Sequence, residues 1–269
     1  MENKFILITG STDGIGKQTA LQLAQMGHHV LVHGRDLSSA QAAAQGIRDS
    51  GGNPDVGALA ADLASQEQVR QLAREVQERY SRLDVLINNA GVTKRSRQLT
   101  REGLETTFAV NHLAPFLLTN LLLDLIKRSA PSRIVNVSST THQRIQNVDF
   151  DNLQGEKHFD GSQAYALSKL ANILFTYECA DRLKNDQVTV NCLHPGVVNT
   201  KLLRVNYSPM GISPEQGAET SVYLAVSPEV KDITGRYFVN KRPVDSSPLS
   251  HDLKLRRDFW KVSARLTGL

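Results

Sequence analysis

Apolar residues along this chain fall into short continuous runs, separated by longer stretches with a three-to-four-residue rhythm. The runs are Phe5–Thr9, Val30–His33, Val56–Ala61, Val85–Asn88, Ile134–Ser138, Val188–Leu193 and Arg236–Val239. Most show no strict alternation, the pattern of parallel strands buried on both faces. Between them, residues 14–27, 37–50, 66–81, 101–128, 162–184 and 214–226 read as helices. In the first of these, Ile15, Thr19, Leu23 and Met26 recur at spacings of three and four, which places them on one helix face. Ser65 ahead of Glu67 and Gln68 predicts a capped helix start, and Gly27, Gly51 and Gly52 mark helix ends or turns. This alternation predicts an α/β fold, a doubly wound parallel seven-stranded sheet with helices on both faces. No repeat or linker interrupts it, so residues 1–269 read as a single domain. Arg242–Ser250 reads as a surface loop before a final helix, Asp252–Leu266.

Composition narrows the class. The chain is 40% hydrophobic and 22% charged, with net charge +4, a sequence pI of about 9.1 and mean hydropathy −0.29. These values suit a globular protein with a sizeable core. The basic excess is mild and contains no long like-charge run, so a nucleic-acid partner is not expected. The longest apolar candidate for a membrane span, Phe116–Ile126, is broken by Thr119, Asn120 and Asp124, and no stable span is expected. Cys179 and Cys192 form no disulfide framework, and no metal-ligand spacing occurs, so no metal is expected. A reducing, cytoplasmic location is the expectation.

The chemistry lies where strands end. The first strand runs into Thr9-Gly10-Ser11-Thr12-Asp13-Gly14-Ile15-Gly16. A glycine-rich turn between strand and helix allows close backbone approach and offers free N–H groups to a dinucleotide pyrophosphate, the Rossmann arrangement. After the second strand, Gly34 supplies no carboxylate for a ribose 2′-hydroxyl, whereas Arg35 can pair with a 2′-phosphate. NADP(H) is therefore preferred and NAD(H) remains an option. The competing reading has Arg35 solvated and Asp36 capping the next helix. Tyr165 and Lys169 stand four apart on one helix face, where an ammonium would favour the phenolate and lower the tyrosine pKa. Ser138-Ser139, Asn88-Asn89-Ala90-Gly91 and Pro195-Gly196 each follow a strand, as does Asp62-Leu63. All these positions fall at the carboxyl edge of the sheet, where open α/β folds bind ligands.

Together these residues, with Asn111, Val198 and Thr200, resemble the short-chain dehydrogenase/reductase family over essentially the whole chain. Val110–Leu113, Asn152–Lys157, Ser168–Asn172 and Ser263–Gly268 are similar to the retinol dehydrogenase 11–14-like branch. The resemblance implies an oxidoreductase that interconverts a carbonyl and an alcohol. Tyr165 would move the proton, Lys169 would bind the nicotinamide ribose, Ser139 would hold the substrate oxygen, and Asn111 would bind a relay water. Asp62 would contact the adenine, Asn88 the ribose region, and Thr200 with the Pro195–Val197 backbone the carboxamide. Two departures bear on substrate and location: the N-terminal hydrophobic anchor of that branch is absent, and Leu202–Ser213 is short and mixed. His142, Gln143, Arg144, His158 and Asp160 line the substrate mouth or are solvated loop residues. The helices 101–128 and 162–184 suit either a homodimer or homotetramer interface or packing within the chain. The basic stretch Lys254–Arg265 is expected to pack on the domain through Leu253, Leu255, Phe259 and Val262, with a membrane surface as the alternative. A non-catalytic NADP(H)-binding sensor is the alternative function.

Overall fold

The computed structural model describes residues 3–204 and 211–269. The strands are β1 (Phe5–Ile8), β2 (His29–Gly34), β3 (Val56–Ala60), β4 (Val85–Asn88), β5 (Ser132–Val137), β6 (Val188–His194), β7 (Tyr237–Val239) and β8 (Arg242–Val244). They form one sheet in the order β3-β2-β1-β4-β5-β6-β7-β8. All neighbours are parallel except the antiparallel pair β7 and β8.

Burial on both faces explains the unbroken apolar runs. In β1, Leu7 joins the core layer that holds Leu31, Leu86, Leu117 and Phe175. Its neighbours Ile6 and Ile8 join the opposite layer with Val30, Val32, Val85 and Ile87. All three are fully buried, and each contributes roughly 2 kcal/mol by removal from water. The strand order turns back between β1 and β4. The loops after those two strands therefore diverge, opening the crevice in which a dinucleotide fits.

Helix starts follow the expected chemistry. Asp13, Asp36, Ser65, Asp160, Ser213 and Asp252 each accept from a backbone N–H of the following turn. Gly52 closes Leu37–Gly51 in a left-handed conformation.

Three expectations change. First, the sheet has eight strands, because Arg242–Val244 pairs with β7 rather than forming a loop. Asn240 and Lys241 both adopt positive φ (49° and 62°), the conformation that a two-residue hairpin needs. Second, the span 101–128 begins its helix only at Thr106, capped by the buried Glu105, and widens into a π turn over Ala109–Leu113. Third, the continuous helical stretch Thr106–Arg128 is long and apolar enough to cross a membrane, but 78% of that window is buried inside the protein. It acts here as a core helix.

The last helix, Leu253–Thr267, lies on this core helix and on Gly161–Arg182. Trp260 meets Phe116 edge-on at 5.0 Å and Phe175 at 5.9 Å. Phe259 is buried, while Leu253 is exposed and not part of the contact. The chain thus covers with its own C-terminal helix part of the helical face considered for a subunit interface.

Candidate active site

The glycine loop is shaped by backbone demands. Gly10 has φ +62°, and a Cβ there would stand 2.8 Å from the Ala90 Cα. A Cβ at Gly16 would collide with the Gly10 carbonyl and the Asn89 side-chain amide. Gly14 has φ +56° and faces Thr200. The loop therefore packs backbone against backbone, which leaves a cradle that side chains would fill. Asn89 clasps it by donating to the Thr9 and Gly10 carbonyls at 2.9 and 3.0 Å. The Ser11 hydroxyl turns inward, donating to Ile8 O and accepting from His33 N. Asp13 caps the following helix and pairs with Lys201 at 2.7 Å.

His33 is a member of this site that sequence reasoning took only as a strand end. Gly10 N donates to its Nδ1 at 3.1 Å, so the ring proton sits on Nε2, which faces Ala61 O at 3.1 Å. Burial pushes the His33 pKa down to about 4. His112, from the π turn, is likewise pushed down to about 4 by burial. Both rings favour the neutral form in the fold. Between pH 6.5 and 4 the unfolded chain therefore binds more protons than the folded chain, and stability falls as pH drops. At pH 5 each ring costs on the order of 2 kcal/mol relative to pH 7.5. Thermal unfolding at pH 7.5 and 5.0 checks this, with a clearly lower Tm expected at pH 5.0; an unchanged Tm would contradict it.

At the end of β2, a Cβ on Gly34 would stand 2.6 Å from the Thr12 methyl, so no carboxylate can replace this glycine without disturbing the loop. Asp36 is committed to its helix, accepting from Ser38 Oγ, Ser39 N and Ser39 Oγ. Arg35 stands exposed beside it. Asp62 accepts from Ala64 N at the end of β3, and Leu63 is buried.

Asn88 differs from expectation. Its amide donates to Asn136 Oδ1 at 2.8 Å and to Thr119 Oγ1 at 3.1 Å, and Asn136 donates on to Thr176. This buried ladder ties β4 and β5 to the helices beneath, so Asn88 supports the site from behind. Asn89, Ala90 and Gly91 form the wall, and a Cβ on Gly91 would stand 3.6 Å from both Lys169 Nζ and Asn111 Oδ1.

The structure brings Asn111, Ser139, Tyr165 and Lys169 to this wall. Asn111 accepts from Val92 N at 2.7 Å and donates to Val92 O and Ser168 Oγ. A π turn is a common way for a helix to re-aim one residue at a site. Ser139 stands beside the Tyr165 hydroxyl and acts to lower its pKa. Lys169 Nζ donates to Val137 O at 3.0 Å and lies 5.5 Å from the Tyr165 ring centre. The Tyr165 pKa runs opposite to the expected direction: burial pushes it up to about 12, against the nearby Ser139, which lowers it. Burial also brings Lys169 down to about 8. Desolvation, the larger effect, outweighs the favourable contacts here.

The far wall follows β6. Gly196 has φ +94° beneath Ile212, Val198 is buried and bridges to Ile212, and Thr200 faces Gly14. Of the Leu202–Ser213 stretch, positions 205–210 lie outside the described residues. His142 is fully buried, while Gln143, Arg144, His158 and Asp160 are exposed.

A sequence profile described as short chain dehydrogenase matches residues 4–210. Human (Homo sapiens) retinol dehydrogenase 13 is 43% identical, over 99% of this chain and 85% of that protein. Human retinol dehydrogenase 14 is 41% identical, over 100% and 88%. Among solved structures, an uncharacterized protein from Mycobacterium Paratuberculosis superposes with TM-score 0.82 at 30% identity, covering 98% of this chain and 93% of that one. A chain from Escherichia coli CFT073, assigned to the short chain dehydrogenases and complexed with NADPH, superposes with TM-score 0.72 at 26% identity, over 88% and 96%. Site geometry, sheet order and full-length similarity agree: the chain belongs to the short-chain dehydrogenase/reductase family of oxidoreductases.

Proposed function

We propose that this protein is an NADP(H)-dependent oxidoreductase that interconverts a carbonyl and an alcohol, with Tyr165 as general acid and base. The observation that carries the reading is the grouping of Tyr165, Lys169 and Asn111, with Ser139 beside Tyr165, at the wall of the glycine cradle. Gly10 to Gly16 would hold the pyrophosphate through their backbone, with Ser11 and Thr12 shaping the turn. Arg35 would pair with the 2′-phosphate, and Asp62 and Leu63 would flank the adenine. Asn89–Gly91, Tyr165 and Lys169 would surround the nicotinamide ribose, and Pro195–Val198 with Thr200 the carboxamide. The chemistry that NADPH brings when bound is a hydride equivalent.

Ser139 and Tyr165 present two hydroxyls to one substrate oxygen. Tyr165 holds its proton firmly at neutral pH, which suits donation to the oxygen as negative charge develops there. Lys169, with a pKa of about 8, is mostly charged at pH 7 and favours the phenolate left behind. This balance supports carbonyl reduction as the working direction. The similarity to retinol dehydrogenases makes retinal one candidate substrate. Both cysteines are free and buried, which supports a cytoplasmic location.

The test is NADPH and NADH consumption across small aldehydes, aryl ketones, quinones, steroids and retinal. Turnover with NADPH on one member supports the reading; NADPH binding without turnover on any member favours a sensor. Arg35→Ala separates the two cofactors. Losing a charge-assisted pair raises KM for NADPH about 10-fold or more and leaves NADH within about 2-fold. Equal effects on both cofactors would remove Arg35 from phosphate recognition.

A further inference from the structure

Ser139 is held from behind by a residue outside the proton-transfer group. Its main-chain carbonyl faces His142 Nδ1 at 2.6 Å. The other ring nitrogen, Nε2, receives the backbone N–H of Ser247 at 3.0 Å. An amide N–H can only donate, so Nε2 accepts and the ring proton sits on Nδ1, donating to Ser139 O. The ring is fully buried and meets Tyr237 edge-on at 5.1 Å. Burial lowers its pKa and favours the neutral ring.

Ser247 belongs to a tied strap. Ser246 Oγ lies 2.7 Å from the Tyr177 hydroxyl and 2.6 Å from Ser250 Oγ. Ser250 Oγ donates to Ser247 O at 2.6 Å, and Arg256 Nε donates to Ser250 O at 2.9 Å. Tyr177 stands on the same helix, Gly161–Arg182, as Tyr165 and Lys169. Strap and helix therefore form one frame, and His142 joins Ser139 to it.

We propose that His142 is a positioning residue: clamped by the Ser247 amide, it fixes the main chain at Ser139 so that the Ser139 hydroxyl meets Tyr165 and the substrate oxygen together. This rests on the carbonyl–alcohol reading above. A serine hydroxyl swings on one torsion, so its place is only as fixed as the backbone that carries it. An unclamped imidazole would exchange between tautomers, and the Nε2–H form would turn a lone pair toward the Ser139 carbonyl. The strap amide removes that alternative.

A pair of substitutions separates positioning from packing. In His142→Asn, the amide nitrogen stands near the Nδ1 position and can still donate to Ser139 O, while Ser247 is out of reach. In His142→Gln, the side-chain oxygen reaches Ser247 N–H, but Ser139 O loses its short side-chain donor and keeps only the main-chain N–H of residue 142, at 3.2 Å. Glutamine is expected to lower kcat about 30-fold with both KM values within about 3-fold, the scale of a sub-ångström misplacement. Asparagine is expected to keep kcat within about 3-fold of wild type, despite the larger void it leaves. Equal losses in both variants, or losses that simply follow Tm, overturn the proposal. Nitrogen-15 spectra of the wild-type imidazoles give a second reading that needs no variant and no turnover. A proton on His142 Nδ1 supports the clamp, and one on Nε2 overturns it, even if no carbonyl substrate is found.

Discussion

Tyr165→Phe is expected to lower turnover by about 10³-fold while leaving NADPH affinity within about 3-fold. Positioned proton transfer is worth about 10²- to 10⁴-fold, and phenylalanine removes only the hydroxyl beside Ser139. The ring remains, and with it the contact to Lys169 Nζ. Lys169 keeps its hydrogen bond to Val137 O and the glycine cradle is untouched. Steady-state kinetics under saturating NADPH, paired with a fluorescence titration of NADPH, checks both halves. Retention of more than about a tenth of the turnover would take Tyr165 out of the proton step. A parallel loss of NADPH affinity would mean that the hydroxyl acts chiefly on the cofactor.

Gly16→Ala is expected to be the most damaging small substitution in the glycine loop. The added methyl meets the Gly10 carbonyl on one side and the Asn89 amide on the other. These two groups are hydrogen-bonded to each other, so neither can yield without opening the clasp. Overpacking of this kind costs about 1–3 kcal/mol, or several degrees in Tm for a domain of this size. The loop shift is expected to weaken NADPH binding about 100-fold. Gly46→Ala is the matched control, since a Cβ there meets nothing within 4 Å in the interior of Leu37–Gly51. That change is expected to stabilise by about 0.5–1 kcal/mol. If Gly16→Ala behaved like the control, the close-approach account of the loop would be wrong.

Much of the fold was readable because parallel strands buried on both faces leave unbroken apolar runs. β8 was not. Its turn, Asn240-Lys241, lacks the glycine that marks such hairpins, and Pro243 is tolerated because β8 is the sheet edge. The π turn over Ala109–Leu113 was invisible, since all five of its residues are buried and no exposed position marks the shift in phase. At the site, the glycines, Tyr165 and Lys169 stand at spacings that sequence displays directly. Asn88 and Asn89 look alike in sequence, but alternate strand geometry sends one into the ladder and the other onto the glycine loop. His33, His112 and His142 carry no local pattern at all. Their meaning comes from partners such as Gly10, Ser263 and Ser247, which only the folded topology brings near. The Tyr165 pKa was misjudged for a related reason: spacing reveals a neighbouring charge but not the depth of burial.

The bonds from His142 to Ser247 and from His112 to Ser263 join positions 105 and 151 residues apart. A chain made from its N-terminus has the glycine loop, β1 to β6 and the Tyr165 helix in hand well before residue 247 is added. Distant contacts of this kind form late, after the sheet has given them something to close upon. The order of synthesis thus separates two parts of the site in time: the glycine cradle comes first, and the strap that holds His142 behind Ser139 comes last.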